Sequence, residues 1–333
     1  MRFKKVLFNL CIIILAVFIS YWVYFLSPIS RESALSKEIL IDKGIGFSGV
    51  ADFLEKEKFI RSAFAFKVYS LVSGSAHLVK PGYYNLSGDE GAVSILEKLI
   101  RGPEDITIKI IEGATLGDID LQLFATNVTP LGAIKNFPIS VLKNAYPFLK
   151  KVKSLEGFLF PDTYKFALHS DAELVIRKML DNFSFKGGSA FGGKAQIDYD
   201  KLIIASLIEK EAPDNQRDRE LISGIIARRL RIGMGLQIDA TVIYAKCRGI
   251  LITCQNSKLT RDDFSIASLY NTYTHRGLPP TPIGNPGLES IVAAKNPLKS
   301  DYLYYLTDPR TGKTIFNKTF EEHDTQRAKY INY

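Results

Sequence analysis

The longest apolar run of the chain lies at its N-terminus, between Val6 and Leu26, where Asn9 and Ser20 are the only clearly polar residues. A run of this length is what an α-helix needs to cross the hydrocarbon core of a bilayer. Aromatic rings favour the membrane–water interface, and three of them lie near the far end of the run: Tyr21, Trp22 and Tyr24. The pattern predicts a transmembrane helix over residues 6–26.

Three basic residues precede this helix: Arg2, Lys4 and Lys5. Positive residues favour the cytoplasmic side, so residues 1–5 are predicted to be a cytoplasmic tail. The chain is then a single-pass protein of the cytoplasmic (inner) membrane, with its body in the periplasm. A cleaved signal peptide is the alternative. A retained anchor is favoured, because the apolar run is longer than that of a usual signal peptide and "SPISRESA" offers no clear small-x-small cleavage site.

Beyond a polar connector, the pattern predicts a small α/β module over residues 38–102. "SKEILIDKG" reads as a strand, and Val50, Phe53 and Leu54 have the spacing of a helix that a second helix, "RSAFAFKVYSLV", follows. "LVKPGYYNL" is a strand opened by a Pro-Gly turn. Ser87 is expected to cap the next helix, and Gly102 to end it.

A second, larger α+β domain is predicted over residues 105–333. It opens with a strand, a turn at Gly113 and a helix capped by Thr115. The aromatic segment 154–166 is expected to be a fixed loop or short strand, and the glycine-rich segment 183–196 a mobile surface loop.

The last third of the chain predicts three helices, a long loop and a hairpin. Asp200 is expected to cap the first helix and Pro213 to close it, Gly233 to end the second, and Asp239 to cap the third. The aromatic loop "SLYNTYTHRGLPPTPIGNPG" leads into the segment "GLESIVAAKNP". "DYLYYLTDPRTGKTIFNKTF" reads as two strands joined by a turn.

Composition and charge limit the functions that this body can have. The chain of 333 residues is 46% hydrophobic and 23% charged, which is ordinary for globular protein and argues against wholesale disorder. Its net charge of +8 suits an anionic partner such as lipid headgroups or an acidic polymer. No nucleic-acid motif is present, and a periplasmic body argues against that partner.

Three cysteines are present, and two of them, Cys247 and Cys254, enclose the segment "RGILIT". In an oxidising compartment the two could form a disulfide, or they could remain separate thiols. Histidines and cysteines form no cluster with the spacing of metal ligands, so neither a metal nor a cofactor is expected.

The most informative carboxylate is Glu209, at the end of the apolar helix "KLIIASLIEKE". One and two turns before it lie Ala205, Ser206 and Leu202, and a carboxyl over such a face loses hydration, which favours its protonated form. A protonated carboxyl is what a general acid at a glycosidic oxygen requires. Glu211 is rotated by about 200° from Glu209, so the two share no face.

A structural alternative remains open at this point: Glu209 lies at a helix end and forms a salt bridge with Arg217 or Arg228. Local sequence does not decide between the two interpretations.

Longer motifs carry more information. "IASLIEKEA", "ISGIIARRLRIGMGLQIDATVIYA", "YNTYTHRGLPPTPIGNPG" and "YLYYLTD", together with "LEGFLFPDTY" upstream, resemble in this order the MltG/YceG-like endolytic murein transglycosylases. An N-terminal anchor and a small LysM-like module also match that family. Two features depart from its pattern: Pro213 within "EAPDNQRDR" and the pair Cys247/Cys254.

The resemblance implies an enzyme that cuts peptidoglycan glycan strands internally. The bond is the one from N-acetylmuramic acid to N-acetylglucosamine, and a 1,6-anhydro end remains. The catalytic acid of the family is the first Glu of "EKE", here Glu209, within a catalytic core over about residues 199–333. The implied partners are glycan strands, the membrane and, beside them, glycan polymerases.

Several residues match family positions that line a sugar-binding cleft, and some of them have an alternative role. Gln237 and Asn271 suit sugar hydroxyls and N-acetyl groups, while Asp239 is either a cleft residue or a helix cap and Tyr273 a cleft residue or a core residue. Three more residues either form the opposite wall or fix a turn: Glu156, Asp162 and Tyr164. Glu211 either orients the surroundings of Glu209 and contacts substrate, or pairs with Lys210 or Arg217.

Two other classes of protein were weighed. A penicillin-binding-type acyl transferase would use the S-x-x-K sequence at Ser140–Lys143, but no S-D-N or ordered K-T-G follows it. A membrane-anchored peptidoglycan-binding scaffold without activity is the stronger rival, and an intact "EKE" argues against it.

Overall fold

The computed structural model describes residues 2–30, 36–191, 197–211, 215–255 and 258–330. The fold is a mixture of α-helices and short β-strands. It divides into two compact units, Met1–Ile106 with Ala167–His169, and Thr107–Phe166 with Ser170–Tyr333.

The first unit begins with helix α1 (Arg2–Leu26). Its segment Phe8–Leu26, 19 residues long, is apolar and long enough to cross a membrane, and none of it is buried against the rest of the protein. This is the arrangement of a single-pass anchor.

The rest of the first unit has the predicted order of strand, two helices, strand and helix. These elements are β1 (Ser36–Ile41), α2 (Phe47–Lys56), α3 (Ala63–Val72), β2 (Gly82–Ser87) and α4 (Ala92–Arg101). The two strands pair antiparallel, with Ile39 opposite Tyr84, and the helices cover them with buried side chains such as Leu54 and Leu99. The prediction that Ser87 caps α4 is wrong: Ser87 ends β2, and Gly91 is the residue before the helix.

The second unit contains most of β3 (Asp105–Lys109), which pairs with β4 (Thr163–Ala167). It continues with α5 (Leu116–Ala125) and α6 (Ala172–Asn182). Thr115 caps α5 as predicted, and its hydroxyl accepts from the Asp118 N–H while the Asp118 carboxylate accepts from the Thr115 N–H. Gly113 adopts a φ of 76° at the turn, a conformation that favours glycine.

The predicted mobile loop at 183–196 is wrong for its first part. A π-helical turn (Phe183–Gly187) and the short α7 (Gly188–Ala190) continue α6, because the fully buried ring of Phe183 packs against Phe158 and Phe148. Residues 192–196 lie outside the described part.

Four helices form the core of the second unit: α8 (Tyr199–Glu211), α9 (Gln216–Arg231), α10 (Asp239–Lys246) and α11 (Leu288–Lys295). The apolar stretch of α8 is buried, and α8, α9 and α11 pack on one another. Gly233, with a φ of 65°, follows α9 as predicted.

Two predicted caps are wrong. Asp198, not Asp200, caps α8, because its carboxylate accepts from the N–H groups of Asp200 and Lys201. Asp239 is the first residue of α10 and makes no capping bond, since Ile238 holds the cap position. Pro213 lies outside the described residues.

The predicted C-terminal hairpin is confirmed. β5 (Tyr304–Thr307) and β6 (Thr314–Asn317) pair antiparallel. A final helix, α12 (Phe320–Tyr330), was not predicted. None of its residues is buried, so its sequence has no apolar face that would indicate a helix.

Cys247 and Cys254 form a disulfide, with their Cα atoms 5.7 Å apart. The enclosed loop is anchored on α5, because the N–H groups of Leu251 and Ile252 both donate to Asp118 Oδ1, at 2.6 and 2.9 Å.

Candidate active site

Three loops of the second unit are joined by one side chain, that of Asn285. Its Nδ2 donates to the Ala114 carbonyl at 2.8 Å, and its Oδ1 accepts from the Leu159 N–H at 2.8 Å. Its backbone also bonds the turn at Gly113 in both directions, from Gly113 N to Asn285 O at 2.8 Å and from Asn285 N to Ala114 O at 2.9 Å. A fully buried amide therefore holds the β3–α5 turn, the "LEGFLF" loop and the "PIGNPG" loop together.

Glu156 makes a second link beneath these loops. It is 3% exposed, and its Oε1 accepts from the Leu116 N–H while its Oε2 accepts from the Tyr244 hydroxyl, each at 2.9 Å. Burial, aided by the negative charge of Asp118, raises the pKa of Glu156 to about 7, although its two donors oppose that rise. Its oxygens are therefore occupied by protein donors.

Glu209 lies in the last turn of α8, half-buried, at the end of the buried stretch Leu202–Ile208. Its Oε2 accepts from the Gly287 N–H at 2.9 Å, at the residue that precedes α11. One turn back, Ser206 Oγ accepts from the Ile283 N–H at 3.1 Å, which fastens α8 to the same loop. The salt bridge proposed as an alternative is not formed with Arg228, which contacts Ser300 O and Asp301.

Two charged side chains lie beside Glu209. The Glu112 carboxyl lies directly over Gly287, where a methyl group would overlap both of its oxygens. Burial and then the charge of Glu209 raise the pKa of Glu112. The Lys210 side chain lies against the turn at Gly113, where an added methyl group would be 3.4 Å from Lys210 Nζ. Burial lowers the pKa of Lys210, and nearby carboxylates including Glu209 oppose this.

Glu211 lies apart from this pair, as its rotation along α8 predicts. It hydrogen-bonds Tyr305 and lies near Arg229, rather than Lys210 or Arg217. Burial, and then the charge of Asp239, raise the pKa of Glu211 to about 7. Arg229 is 7% exposed and donates to two backbone carbonyls, those of Leu303 and Leu236.

Asp239 and Tyr273 are hydrogen-bonded to each other near Glu211. The Tyr273 hydroxyl donates to Asp239 Oδ1 at 2.6 Å, and both side chains are exposed. Burial of the hydroxyl, and then that hydrogen bond, raise the pKa of Tyr273. Gln237 is exposed nearby with a φ of 49°, and its N–H donates to the Thr272 carbonyl. A carboxylate, a phenol and an amide are thus presented to solvent on the loops around α10.

The remaining candidate residues make internal contacts. Asn271 is fully buried, and its Nδ2 donates to the Phe264 and Ile266 carbonyls. Asp162 accepts from Asn182 and forms an ion pair with Lys186. The Tyr164 hydroxyl donates to the Phe160 carbonyl at 2.6 Å. These are the contacts of residues that fix loops, one of the two alternatives considered for Asp162 and Tyr164.

The family model of the YceG-like family matches residues 39–329, nearly the whole of both units. The chain belongs to the YceG-like family. It is 33% identical over 326 residues to an endolytic murein transglycosylase of Bacillus subtilis, covering 92% of this chain and 88% of that protein. It is 31% identical to an endolytic murein transglycosylase of Streptococcus pneumoniae, of which it spans 60%.

A solved structure agrees with this membership. The crystal structure of a yceG-like protein of Listeria monocytogenes is 34% identical in sequence and superposes with a TM-score of 0.56. The match covers 89% of this YceG-like chain and 100% of the Listeria chain. The YceG-like fold is therefore shared at the level of backbone as well as sequence.

Sequence reasoning missed Glu112 and Asn285. Both stand beside glycines in short motifs, "IEGAT" and "IGNPG", which read locally as turns. Nothing local indicates that residues so distant along the chain meet at Gly287. Among the described residues of this YceG-like protein, no group of three or more His, Cys, Asp or Glu side chains has an arrangement that could hold a metal ion.

Proposed function

We propose that the protein is an endolytic peptidoglycan lytic transglycosylase with Glu209 as its catalytic acid and base. The observation that carries the proposal is the placement of Glu209: a half-exposed carboxyl at the end of the buried stretch of α8, oriented by the Gly287 N–H. Because Oε2 accepts that bond, Oε1 is the oxygen that carries the proton. The family relatives, which are named endolytic murein transglycosylases, support the same reaction class.

The reaction needs one carboxyl in two successive roles. Glu209 donates its proton to the glycosidic oxygen as the bond from N-acetylmuramic acid C1 breaks. The C6 hydroxyl of the same sugar then attacks C1, and the Glu209 carboxylate takes the hydroxyl proton. The product has a 1,6-anhydro ring, no water is consumed, and Glu209 ends protonated as it began.

The sugars beside the cut bond would bind to polar groups around α8 and α10. Gln237, Asp239 and Tyr273 are exposed and suit hydroxyl and N-acetyl groups. Asn271 and Glu211 would support these groups without contacting the sugar. Asn271 would fix the loop by accepting a hydrogen bond from the Tyr273 N–H, and Glu211 would interact with the charge of Asp239. Glu156, Asp162 and Tyr164 would hold the opposite wall in place.

The first unit would act as a LysM-like module that binds glycan or a protein partner. Its two antiparallel strands with intervening helices support this assignment. With α1 as the anchor and the basic residues before it in the cytoplasm, the body would lie in the periplasm and cut nascent strands near the membrane, beside glycan polymerases. A disulfide at Cys247–Cys254 supports an oxidising compartment.

The test uses the full chain in detergent micelles with uncrosslinked glycan strands as substrate. Products of the wild type, Glu209→Gln and a control, Glu97→Gln, are identified by mass spectrometry. Glu97 is an exposed helical carboxyl of α4, so its variant controls for the substitution itself. Internal fragments with anhydro ends from the wild type and the control, and none from Glu209→Gln, are expected.

Two other outcomes would overturn the proposal. Reducing ends would mean hydrolysis, which uses a second carboxyl, and Glu112, placed with Glu209 at Gly287, is the candidate for that role. Binding without cleavage by any variant would mean a peptidoglycan-binding scaffold.

A further inference from the structure

Gly287 brings two carboxyl groups together, one from each side of its backbone. Its N–H donates to Glu209 Oε2 at 2.9 Å. Its Cα faces the Glu112 carboxyl so closely that a methyl group would overlap both oxygens. The Glu112 backbone is fixed by its neighbour, because the Gly113 N–H donates to the Asn285 carbonyl. The loops therefore place both carboxyls against the backbone of Gly287.

We propose that Glu112 is a positioning residue for the reaction, which acts on Glu209 through its negative charge. The inference rests on the proposed function of Glu209. Two carboxylates in one site repel each other, so the pair gives up its last proton less readily than either group alone would. Glu112 then keeps Glu209 supplied with a proton up to a higher pH.

Besides Glu209, the charged groups that act on Glu112 are Glu289 and Arg219. Glu289 of α11 forms an ion pair with Arg219 of α9 at 2.6 Å, and the Glu289 side chain is 67% exposed. Lys210 lies on the other side, under the Gly113 turn, and attracts Glu209 together with Asp118 and Glu156. Among the described residues no hydrogen-bond donor contacts the Glu112 carboxyl, so its charge acts on Glu209 without a partner of its own.

The direction of the titration supports this picture. Burial raises the pKa of Glu112, the charge of Glu209 adds to the rise, Glu289 adds further, and Arg219 opposes it. The two carboxyls are thus electrostatically coupled. Each turnover removes one proton from the pair at the glycosidic oxygen and returns one from the C6 hydroxyl, so the pair ends as it began.

The test compares the pH dependence of kcat/KM for the wild type, Glu112→Gln, Glu112→Asp and Glu289→Gln, with the full chain in micelles. Glu112→Gln keeps the shape and removes the charge, so the alkaline limb of the profile should move to lower pH by about one unit, a loss of about tenfold on that limb. Glu112→Asp keeps the charge and should retain most of the wild-type limb. Glu289→Gln removes a largely exposed charge that is paired with Arg219, and it should move the limb less than Glu112→Gln does.

An unchanged Glu112→Gln profile would overturn the inference, and so would a uniform drop at every pH, which indicates a purely structural role. Both outcomes concern the variant Glu112→Gln. Failure of the proposed function would instead be seen in the wild type, which would produce reducing ends or no cleavage. Thermal unfolding of each variant shows whether it is folded. If Glu112→Gln does not fold, the comparison of Glu112→Asp with the wild type still tests the inference.

Discussion

The carboxylate of Glu209 and the backbone N–H of Gly287 are joined by a hydrogen bond of 2.9 Å, which ties the last turn of α8 to the start of α11. The bond fixes the orientation of a half-exposed carboxyl that the apolar α8 brings to the surface. A fixed carboxyl at the reacting bond avoids the cost of reorganising it during the reaction. The loop that provides Gly287 is therefore as important for the site as the helix that provides Glu209.

Gly287→Ala tests that loop directly. Gly287 has a φ of −72°, which alanine adopts without strain, but the added methyl would overlap the Glu112 carboxyl. We expect kcat/KM to fall by about tenfold or more as the two carboxyls separate, since small displacements at a reacting centre cost rates of this order.

Gly46→Ala is the matched control. Gly46 also precedes a helix, has a φ of −69° and has no atom within 4 Å of the added methyl. Steady-state kinetics of both variants check the prediction, and equal activities would contradict the role assigned to Gly287.

Asn285 holds three loops, so its loss should destabilise the second unit. Asn285→Ala leaves the buried Leu159 N–H without its partner, at a cost of about 1–3 kcal/mol, and removes one of the two hydrogen bonds that the Ala114 carbonyl accepts from Asn285. The midpoint of thermal unfolding should fall, and activity should fall with it. Asn296→Ala, which removes an exposed side chain bonded only to the Val292 carbonyl, should change the midpoint little. Similar midpoints for both variants would refute this account.

Glu156 should make stability depend on pH. Its pKa is raised from 4.5 to about 7 in the folded protein, so the folded state binds its proton more tightly than the unfolded state. Its contribution is fully present below about pH 4.5, is lost as the pH rises to about 7, and does not change above that. The loss is on the order of 3 kcal/mol.

Guanidinium unfolding of the full chain in micelles at pH 5 and pH 7.5 measures this contribution. Glu156→Gln should show a smaller decrease in the free energy of unfolding between the two pH values than the wild type. Equal decreases would mean that Glu156 does not titrate in this range.

The disulfide should stabilise the loop on α5. Closing a loop of this length contributes about 2 kcal/mol, and the enclosed N–H groups of Leu251 and Ile252 hold Asp118. A reducing agent should therefore lower the unfolding midpoint of the wild type. The double variant Cys247→Ser/Cys254→Ser should start from the lower midpoint and not respond to the reducing agent. A wild type that is insensitive to reduction would contradict the prediction.

Periodicity predicted the helices and strands well wherever one face is buried. The apolar stretch of α8 and the hairpin of Tyr304–Asn317 are examples. Periodicity failed where a residue is buried by residues distant along the chain. Phe183 is helical because its ring packs against Phe158, although the glycines that follow Phe183 favour a loop. Periodicity also missed α12, which has no buried face.

Candidate residues followed the same division. The position of Glu209 follows from α8 alone, and so does its separation from Glu211. The neighbours of Glu209 do not, because Glu112 lies 97 residues before it (209 − 112) and Gly287 lies 78 residues after it. Only the folding of three loops onto Asn285 brings these residues to one place.

The most direct test of the central claim is the incorporation of oxygen from water during cleavage. The wild-type chain is incubated with uncrosslinked glycan strands in ¹⁸O-labelled water, and the new ends are analysed by mass spectrometry. Attack by the C6 hydroxyl predicts ends that carry no label and lack the mass of one water, with no cleavage by Glu209→Gln. Labelled reducing ends would show that water is the nucleophile and would contradict the transglycosylase assignment.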